Sequence, residues 1–201
     1  MSRDVNAKSD RVRLHFAQTG KDMILQSGIE SVSARKLAHL AGYALGTIYN
    51  HFSSLDELLW YSRSLMIEEM GYYLMTENPG KITGVDDLKK LLRSYMGYFL
   101  DNPHIYRFFY FHSLDKKEKR ERNFTEAPGF SDQRNIAFSF LSHDGLYSQS
   151  EINQIGQILI NSIQGLLTMV ITDNDGLKAE SAYRQLDKMI DFLISDKRKR
   201  R

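Results

Sequence analysis

The sequence contains no cysteine, and this absence narrows the chemistry that the chain can perform. Without cysteine there is no disulfide bond, no thiol nucleophile and no cysteine-ligated zinc, and the composition fits a reducing cytoplasm. His-Glu-x-x-His, a phosphate-binding loop and Gly-x-Ser-x-Gly are also missing, and the six histidines are scattered along the chain. The sequence therefore predicts a protein that is not an enzyme and that needs no cofactor and no metal ion.

An excess of charge of one sign is also lacking. The formal net charge is +2, but five of the 27 basic residues lie in the run 197–201, and without it 22 basic residues face 25 acidic ones. Any contact with nucleic acid must therefore come from a local patch. No continuous apolar run has the length of a membrane span, and the N-terminus lacks the apolar core of a signal peptide. We expect a cytoplasmic protein with no membrane partner.

Proline is scarce, and the three prolines, at positions 79, 103 and 128, each mark a break between predicted helices. Elsewhere apolar residues recur every three or four positions, and no segment alternates as a strand does. We therefore predict an all-α fold of about nine helices. The predicted helices cover residues 11–27, 33–41, 44–51, 55–75, 85–100, 104–114, 132–142, 149–172 and 177–195.

The N-terminus is polar and locally basic. We expect residues 1–10 to be mobile. The basic side chains here are Arg3, Lys8, Arg11 and Arg13. Such a group is either solvated or, beside a DNA-binding motif, aligned with phosphates.

Residues 33–52 contain two short helical segments joined by a turn at Gly42. The inward residues of the two segments are Leu37, Ala38, Ala41, Leu45, Ile48 and Phe52. The pair matches the helix-turn-helix, whose second helix enters a DNA major groove, and it also matches an ordinary helical hairpin. The outward residues, which favour the first interpretation, are Ser33, Arg35, Thr47, Tyr49, Asn50 and His51. After them, Ser54 and Glu57 form a capping box that begins the helix over residues 55–75.

Several short motifs in this part of the chain together form a specific pattern. They are Gly28, Ser33-x-Arg35-x-Leu37-Ala38, Ala41-Gly42, Gly46-Thr47-Ile48-Tyr49-x-His51-Phe52 and Asp56-Glu57-Leu58-Leu59. With these motifs, residues 10–70 resemble the N-terminal three-helix DNA-binding domain of the tetracycline-repressor (TetR) family of bacterial transcription regulators, with the helix-turn-helix at 33–52. The resemblance implies that residues 71–195 form a helical ligand-binding and dimerisation domain, followed by a basic tail at 196–201.

The resemblance also implies roles for single residues. The positions that would contact phosphates are Ser33, Ala34, Arg35, Thr47, Tyr49 and His51, and Arg35 could also reach a base edge. The positions that would face the bases are Ala44, Leu45, Gly46 and Asn50. Asn50 can pair with adenine, and Leu45 can pack on a thymine methyl group.

Two features depart from the family pattern. Leu55 stands where the family usually has a phosphate-binding lysine, so the anchor there is weaker or differently placed. Ala44 and Leu45 replace residues that are often polar, so base reading leans on apolar contact and DNA shape.

Aromatic residues are concentrated between positions 95 and 111. Together they present more aromatic surface than a helix can bury in a core through one face. We expect a pocket here for a small apolar or amphipathic effector, although an aromatic core is the alternative. The residues of this predicted pocket are Tyr95, Tyr98, Phe99, His104, Arg107, Phe108, Tyr110, Phe111 and His112. A metal site of His104, His112 and Asp115 is disfavoured, since a spacing of eight is not a usual chelating pair.

The last two predicted helices are apolar on more than one face, so they need a further partner. A two-fold copy of this pair makes a four-helix bundle, and the alternative is packing within the chain. The predicted dimer-interface residues are Ile152, Ile155, Leu159, Ile163, Leu166, Leu186, Met189 and Ile190. The sequence thus predicts a ligand-responsive repressor that binds double-stranded DNA at a palindromic operator as a homodimer. The alternative is a helical adaptor or membrane-surface protein that uses the basic tail.

Overall fold

The computed structural model of the chain describes residues 2–115, 137–142, 146–173 and 176–199. Within these ranges there are eight α-helices, two short 3-10 helices and no strand, which confirms the all-α prediction. The α-helices are α1 (Ser2–Ser27), α2 (Ala34–Leu40), α3 (Leu45–His51), α4 (Leu55–Glu77), α5 (Val85–Asp101), α6 (Pro103–Phe111), α7 (Gln149–Thr172) and α8 (Ala179–Lys199). The 3-10 helices are Ile29–Ser31 and Ser139–Ser142.

The contacts divide the chain into two compact units. The described residues before Tyr72 and those from Asn102 to Asp115 form the first unit, and Tyr72–Asp101 with the described residues from Ala137 onward form the second. Helix α6 therefore packs with the N-terminal helices, although the sequence analysis assigned residues 71–195 to one domain. As a division of function, the predicted boundary at residue 70 stays a prediction.

Helix α1 is longer than predicted. It begins at Ser2, whereas residues 1–10 were expected to be mobile, and that expectation is wrong for the backbone of the described residues. No proline or glycine precedes Gly20 in the sequence, so nothing local stops the helix from extending toward the N-terminus. At the other end Gly28 adopts a φ of +76°, and its N–H donates to the carbonyl of Ile24 (2.9 Å). The predicted glycine cap is confirmed.

The first unit is built around α1. Its core contains Phe16, Leu37, Ile48, Phe52 and Leu58, all essentially inaccessible to solvent. Helices α1 and α4 approach closely where Gly20 faces Ser62, whose hydroxyl is buried and donates to the carbonyl of Ala17 (2.9 Å). A side chain at position 20 would meet this hydroxyl, so glycine is required by space and not by its backbone angle.

Helix α6 follows α5 after a single residue, because Pro103 cannot continue α5 and instead occupies the first turn of α6. The helix ends at Phe111, three residues earlier than predicted, and His112 is already extended. The backbone of Asp115 explains the difference. Its N–H donates to a carboxylate oxygen of Asp56 (2.8 Å), and its carbonyl accepts from the indole N–H of Trp60 (2.8 Å). The backbone N–H and carbonyl of Asp115 are therefore not available for the hydrogen bonds of a longer helix.

In the second unit α5, α7 and α8 pack against one another. Helix α7 begins at a capping box, in which Ser148 accepts from the N–H of Glu151 (3.3 Å) and the Glu151 carboxylate accepts from the N–H of Ser148 (2.8 Å). On the surface Arg93 of α5 pairs with Asp187 of α8. The predicted helix over residues 132–142 lies mostly outside the described residues, as do the charged run 116–122, the break at 127–129 and most of the turn at 174–176.

Helix α7 is also long and apolar enough to cross a membrane, with a mean hydropathy of 1.5 in its most apolar window, 39% of which is buried. The sequence analysis found no such segment, because glutamine, asparagine and serine interrupt any continuous apolar run. A core helix of a soluble protein meets the same criteria, and α7 contributes eight buried residues to the second unit. Length and composition alone therefore give weak support for a membrane span.

Candidate nucleic-acid interface

Helices α2 and α3 form the predicted helix-turn-helix. Ser33 is the N-cap of α2, with extended backbone angles and a side-chain oxygen that accepts from the N–H of Lys36 (3.3 Å). Gly42 has a φ of +76°, which a residue with a side chain rarely adopts. A Cβ atom at this position would have no neighbour within 4 Å, so the turn requires glycine for its backbone angle and not for space. Leu37 and Ile48 then meet in the core from the two helices.

The outer face of α3, which we call the reading face, is open to solvent. It consists of Ala44, Leu45, Gly46, Tyr49 and Asn50, all exposed. Tyr49 is 54% exposed and Leu45 39%, which is high for such apolar side chains. The interpretation of Leu45 as an inward residue is therefore wrong, and the placement implied by the family resemblance fits the structure. Gly46 has no neighbour that a Cβ atom would meet, so the backbone is accessible there.

The other predicted DNA-contacting residues surround this face. Ser33 and Arg35 are exposed, and Ala34 is partly buried against the core of the first unit. Thr47 and His51 are partly buried, and the Nδ1 atom of His51 lies 3.2 Å from the hydroxyl of Ser9 on α1. The reading face and its flanks thus lie on one short helical hairpin.

A buried ion pair, which sequence reasoning missed, supports this hairpin. Arg13 of α1 donates to the carboxylate of Glu57 (2.9 Å) and also to the backbone carbonyl of His51, the last residue of α3. Its guanidinium lies 4.3 Å from the centre of the Phe52 ring. Glu57 is fully buried and also accepts from the N–H and hydroxyl of Ser53 (2.6 and 2.8 Å).

The role considered for Arg13, as part of a basic stretch that is solvated or lies along phosphates, is therefore wrong. Its side chain is only 14% exposed, because it joins three elements of the first unit. Arg11, two residues earlier on the same helix, is exposed. Arg13 lies seven residues before the buried Gly20 and eleven before the buried Ile24, on the face of α1 that enters the core, whereas Arg11 lies on the opposite side. Helical periodicity therefore separates the two arginines, but it does not identify Glu57 as the partner of Arg13.

Leu55 contributes apolar contact to the first unit. It is partly buried and packs against the core of the first unit, at the start of α4. Beside it Ser54 accepts from the N–H of Glu57 (3.0 Å), which confirms this half of the predicted capping box. The departure from the family pattern at position 55 thus exchanges a basic group for apolar contact.

The predicted pocket residues divide between the two units. Tyr95, Tyr98 and Phe99 of α5 are buried in the second unit, with edge-to-face ring contacts from Phe99 to Tyr95 (5.1 Å) and to Tyr98 (5.5 Å). A cleft of about 430 Å³ in this unit is lined by other residues, including Phe138, Ile152 and Asn153.

The remaining pocket residues lie in the first unit, on and just after α6. Phe108 is fully buried and packs near the ring of His112 (5.8 Å). Tyr110 and Phe111 are exposed, as is Arg107, and His104 is partly buried with its ring against Gly28. The aromatic surface of α6 does exceed one packing face, and the pocket itself stays a prediction.

Arg63 of α4 lies beside this aromatic helix and was not identified from the sequence. Its guanidinium carbon lies over two rings, 5.2 Å from the centre of Trp60 and 4.9 Å from that of Phe109. It donates to the carbonyl of Phe109 at a long distance of 3.4 Å. Burial lowers its pKa from the ordinary value of arginine, and the nearby Tyr110 acts in the opposite direction.

The residues predicted for the dimer interface lie mostly inside the protomer. Met189 is partly buried. The other seven are buried in the second unit: Ile152, Ile155, Leu159, Ile163, Leu166, Leu186 and Ile190. A buried side chain cannot contact a partner directly. The exposed apolar side chains of the same two helices are Ile158, Met169 and Phe192, the last 72% exposed.

No metal centre is evident in the part of the chain that the structure describes, where no three histidine, aspartate or glutamate residues are placed to share an ion. His104, His112 and Asp115 are included in that range. The fold and the reading face instead define a helix-turn-helix protein of the all-α class.

Comparison with known proteins finds relatives of the N-terminal part of the chain. Residues 18–60 match the model of the bacterial regulatory proteins of the tetR family. The HTH-type transcriptional regulator PksA of Bacillus subtilis (strain 168) is 36% identical over 61 residues, which are 30% of each chain, so the match spans less than a third of that relative.

Solved structures show the same fold over nearly the whole chain. A TetR-family regulator from Rhodococcus sp. aligns with a TM-score of 0.66 at 17% identity, over 92% of this chain and 99% of its own. RolR, solved with resorcinol, aligns with a TM-score of 0.68 at 15% identity, over 96% and 94% of the two chains. The chain is therefore similar to TetR-family regulators in sequence over residues 18–60 and in fold over nearly its whole length.

Proposed function

We propose that this protein is a ligand-responsive transcriptional repressor that binds a palindromic DNA operator as a homodimer. The observation that carries the proposal is the reading face of α3, which is exposed to solvent while Ile48 and Phe52, on the opposite side, are buried in the core. In this role the protein works in the bacterial cytoplasm, bound to the nucleoid. Residues 10–70 then act as the DNA-binding domain and the following helices as the ligand-binding and dimerisation domain.

In the proposed complex α3 lies in the major groove. Asn50 donates to and accepts from an adenine, Leu45 packs on a thymine methyl group, and Gly46 lets the backbone come close. The residues that hold the DNA backbone are Ser33, Ala34, Arg35, Thr47, Tyr49 and His51. Exposure of Arg35 and Tyr49 supports these roles, since both can reach a phosphate without rearrangement.

Dimerisation follows from symmetry, because a palindromic operator needs two reading faces one helical turn apart. We propose that the contact uses the exposed faces of α7 and α8. Ile158 and Met169 are eleven residues apart, close to three helical turns, so they share one face of α7. Gly165 on the same face has no neighbour within 4 Å of a Cβ position, which would let a partner helix approach closely.

Two substitutions on α3 test the proposal by mobility shift with DNA from upstream of the protein's own gene. We expect Tyr49→Ala to weaken binding to all sequences, because it removes a backbone contact. Asn50→Ala should mainly relax the preference at one base pair, by about 1–3 kcal/mol of discrimination. Tyr72→Ala, a tyrosine on α4 that is equally open to solvent, is the matched control and should change nothing.

The outcomes separate the possible functions. If the wild-type protein retards no DNA at low salt, the repressor proposal is wrong, and lipid sedimentation then tests the alternative that uses the basic tail. If Tyr49→Ala and Asn50→Ala both bind as the wild type does, α3 is not the element that reads DNA.

A further inference from the structure

The surroundings of the Arg63 side chain differ from those of Arg13 and Arg93. Arg13 is paired with Glu57, and the more exposed Arg93 with Asp187, so each of these two guanidinium groups has a carboxylate. Arg63 has none among the described residues; its interactions are the rings of Trp60 and Phe109 and one long bond to a backbone carbonyl. A partly buried cation is thus left without a counter-ion in this part of the molecule.

The surroundings of Arg63 also restrict what could supply that counter-ion. The central carbon of the guanidinium lies over the rings of Trp60 and Phe109, so aromatic surface borders the cation on these sides. The donors lie in the guanidinium plane, and among the described residues only one of the five makes a hydrogen bond, at 3.4 Å. A carboxylate approaching in that plane can accept two parallel hydrogen bonds.

The neighbouring surface is apolar. Trp60 and Phe109 are partly exposed, and Tyr110 and Phe111 of α6 are exposed. Such surfaces take up the apolar body of a ligand, and a few polar groups fix its orientation. Burial of the cation, which lowers the pKa of Arg63, makes a charged hydrogen bond stronger there than in water.

We propose that Arg63, Trp60 and Phe109 bind the carboxylate of a small molecule with a flat apolar body, such as an aromatic acid. The inference rests on the proposed ligand-responsive function and gives the effector a chemical class. Arg63 donates hydrogen bonds to the carboxylate in the plane of its guanidinium, and the exposed rings of α6 contact the apolar body of the ligand. The pocket predicted from the sequence includes Arg107 as its arginine and does not include Arg63.

Trp60 is the single tryptophan of the chain and lies in the site, so its fluorescence reports binding directly. The full-length protein, without DNA, is titrated with benzoate and 2-naphthoate, and in parallel with the neutral benzamide and 2-naphthamide. We expect a saturable change with the acids and a much weaker response to the amides. Arg63→Met should weaken binding of the acids by about tenfold to a hundredfold, because hydrogen bonds to a charged group are lost.

Arg184→Met, which changes an exposed arginine of α8, is the matched control and should bind the acids as the wild type does. Circular dichroism shows whether each variant is folded. If Arg63→Met is not, Arg63→Lys decides, because it keeps the charge, loses the planar donors and should bind with intermediate affinity.

Three results overturn the proposal. They are no saturable response of the wild type to either acid, equal affinity for acid and amide, and unchanged affinity when Arg63 is replaced. None of them bears on DNA binding, since the titration contains no DNA. A protein that retards its operator but ignores both acids therefore remains a regulator with a different kind of effector.

Discussion

The ion pair between Arg13 and Glu57 should be the most sensitive electrostatic contact in the first unit, and Arg13→Met tests it. The substitution keeps an unbranched apolar side chain on α1 but removes the charge and the donors. Glu57 is then left fully buried without its cation, and the carbonyl of His51 at the end of α3 loses a donor. The nearby Phe52 ring also loses its guanidinium neighbour.

Removing one partner of a buried ion pair costs about 3–5 kcal/mol, because the other charge stays desolvated. The Arg13 side chain is 14% exposed, so water can replace part of the lost contact, and Glu57 keeps the donors of Ser53. We therefore expect the lower end, about 3 kcal/mol of unfolding free energy. Urea denaturation followed by Trp60 fluorescence measures it, since that residue lies in the first unit.

Arg11→Met is the matched control on the same helix. Arg11 is exposed, so its replacement should change stability by no more than about 0.5 kcal/mol. If Arg13→Met is equally mild, the pair behaves as a surface ion pair and the reasoning is refuted. A double variant adds a further check: Arg13→Met with Glu57→Leu should lose at least about 1 kcal/mol less than the two single losses combined, because no buried charge is left alone.

Two further predictions concern helix packing and assembly. Gly20→Ala should destabilise the first unit by about 1–3 kcal/mol, because the new methyl group would lie 2.8 Å from the Ser62 hydroxyl. Gly46→Ala is the control: its methyl group would lie in open space, so this substitution should be neutral or stabilising. The same urea assay compares the two variants, and equal losses of stability would contradict the close packing of α1 and α4. Phe192→Glu should turn the proposed dimer into a monomer in sedimentation velocity, whereas Tyr72→Glu should not; a dimer that survives Phe192→Glu excludes that face as the interface.

The helix boundaries that could be predicted from the sequence are those set by local chemistry. The capping box at Ser148 and Glu151, the glycine at 28 and the proline at 103 act within a few residues of their own position, so the sequence shows them. The end of α6 could not be predicted in this way. It depends on two hydrogen bonds of Asp115, which donates to Asp56 and accepts from Trp60, both more than fifty residues earlier in the chain.

The candidate site shows the same division. Helical periodicity correctly separates Ile48, which is buried, from the adjacent Tyr49 and Asn50, which are exposed. Periodicity places Arg13 on the core-facing side of α1, but it cannot identify the partner, Glu57, which is 44 residues away. It also cannot tell which of two apolar faces a helix buries in its own chain, so the stripe chosen on α7 as an interface proved to be core.

Two of these differences together change the expected manner of DNA binding. Arg13 is paired with the buried Glu57, and Leu55 packs against the core where the family usually has a lysine. Neither position therefore offers a cation to a phosphate. The exposed basic side chains that remain on the hairpin, Arg35 and Lys36, lie at the start of α2. Within the hairpin itself, electrostatic attraction to DNA is therefore concentrated at the start of α2 in the proposed complex. Each protomer alone would then bind weakly, and two reading faces held at the spacing of the half-sites are needed for a stable complex.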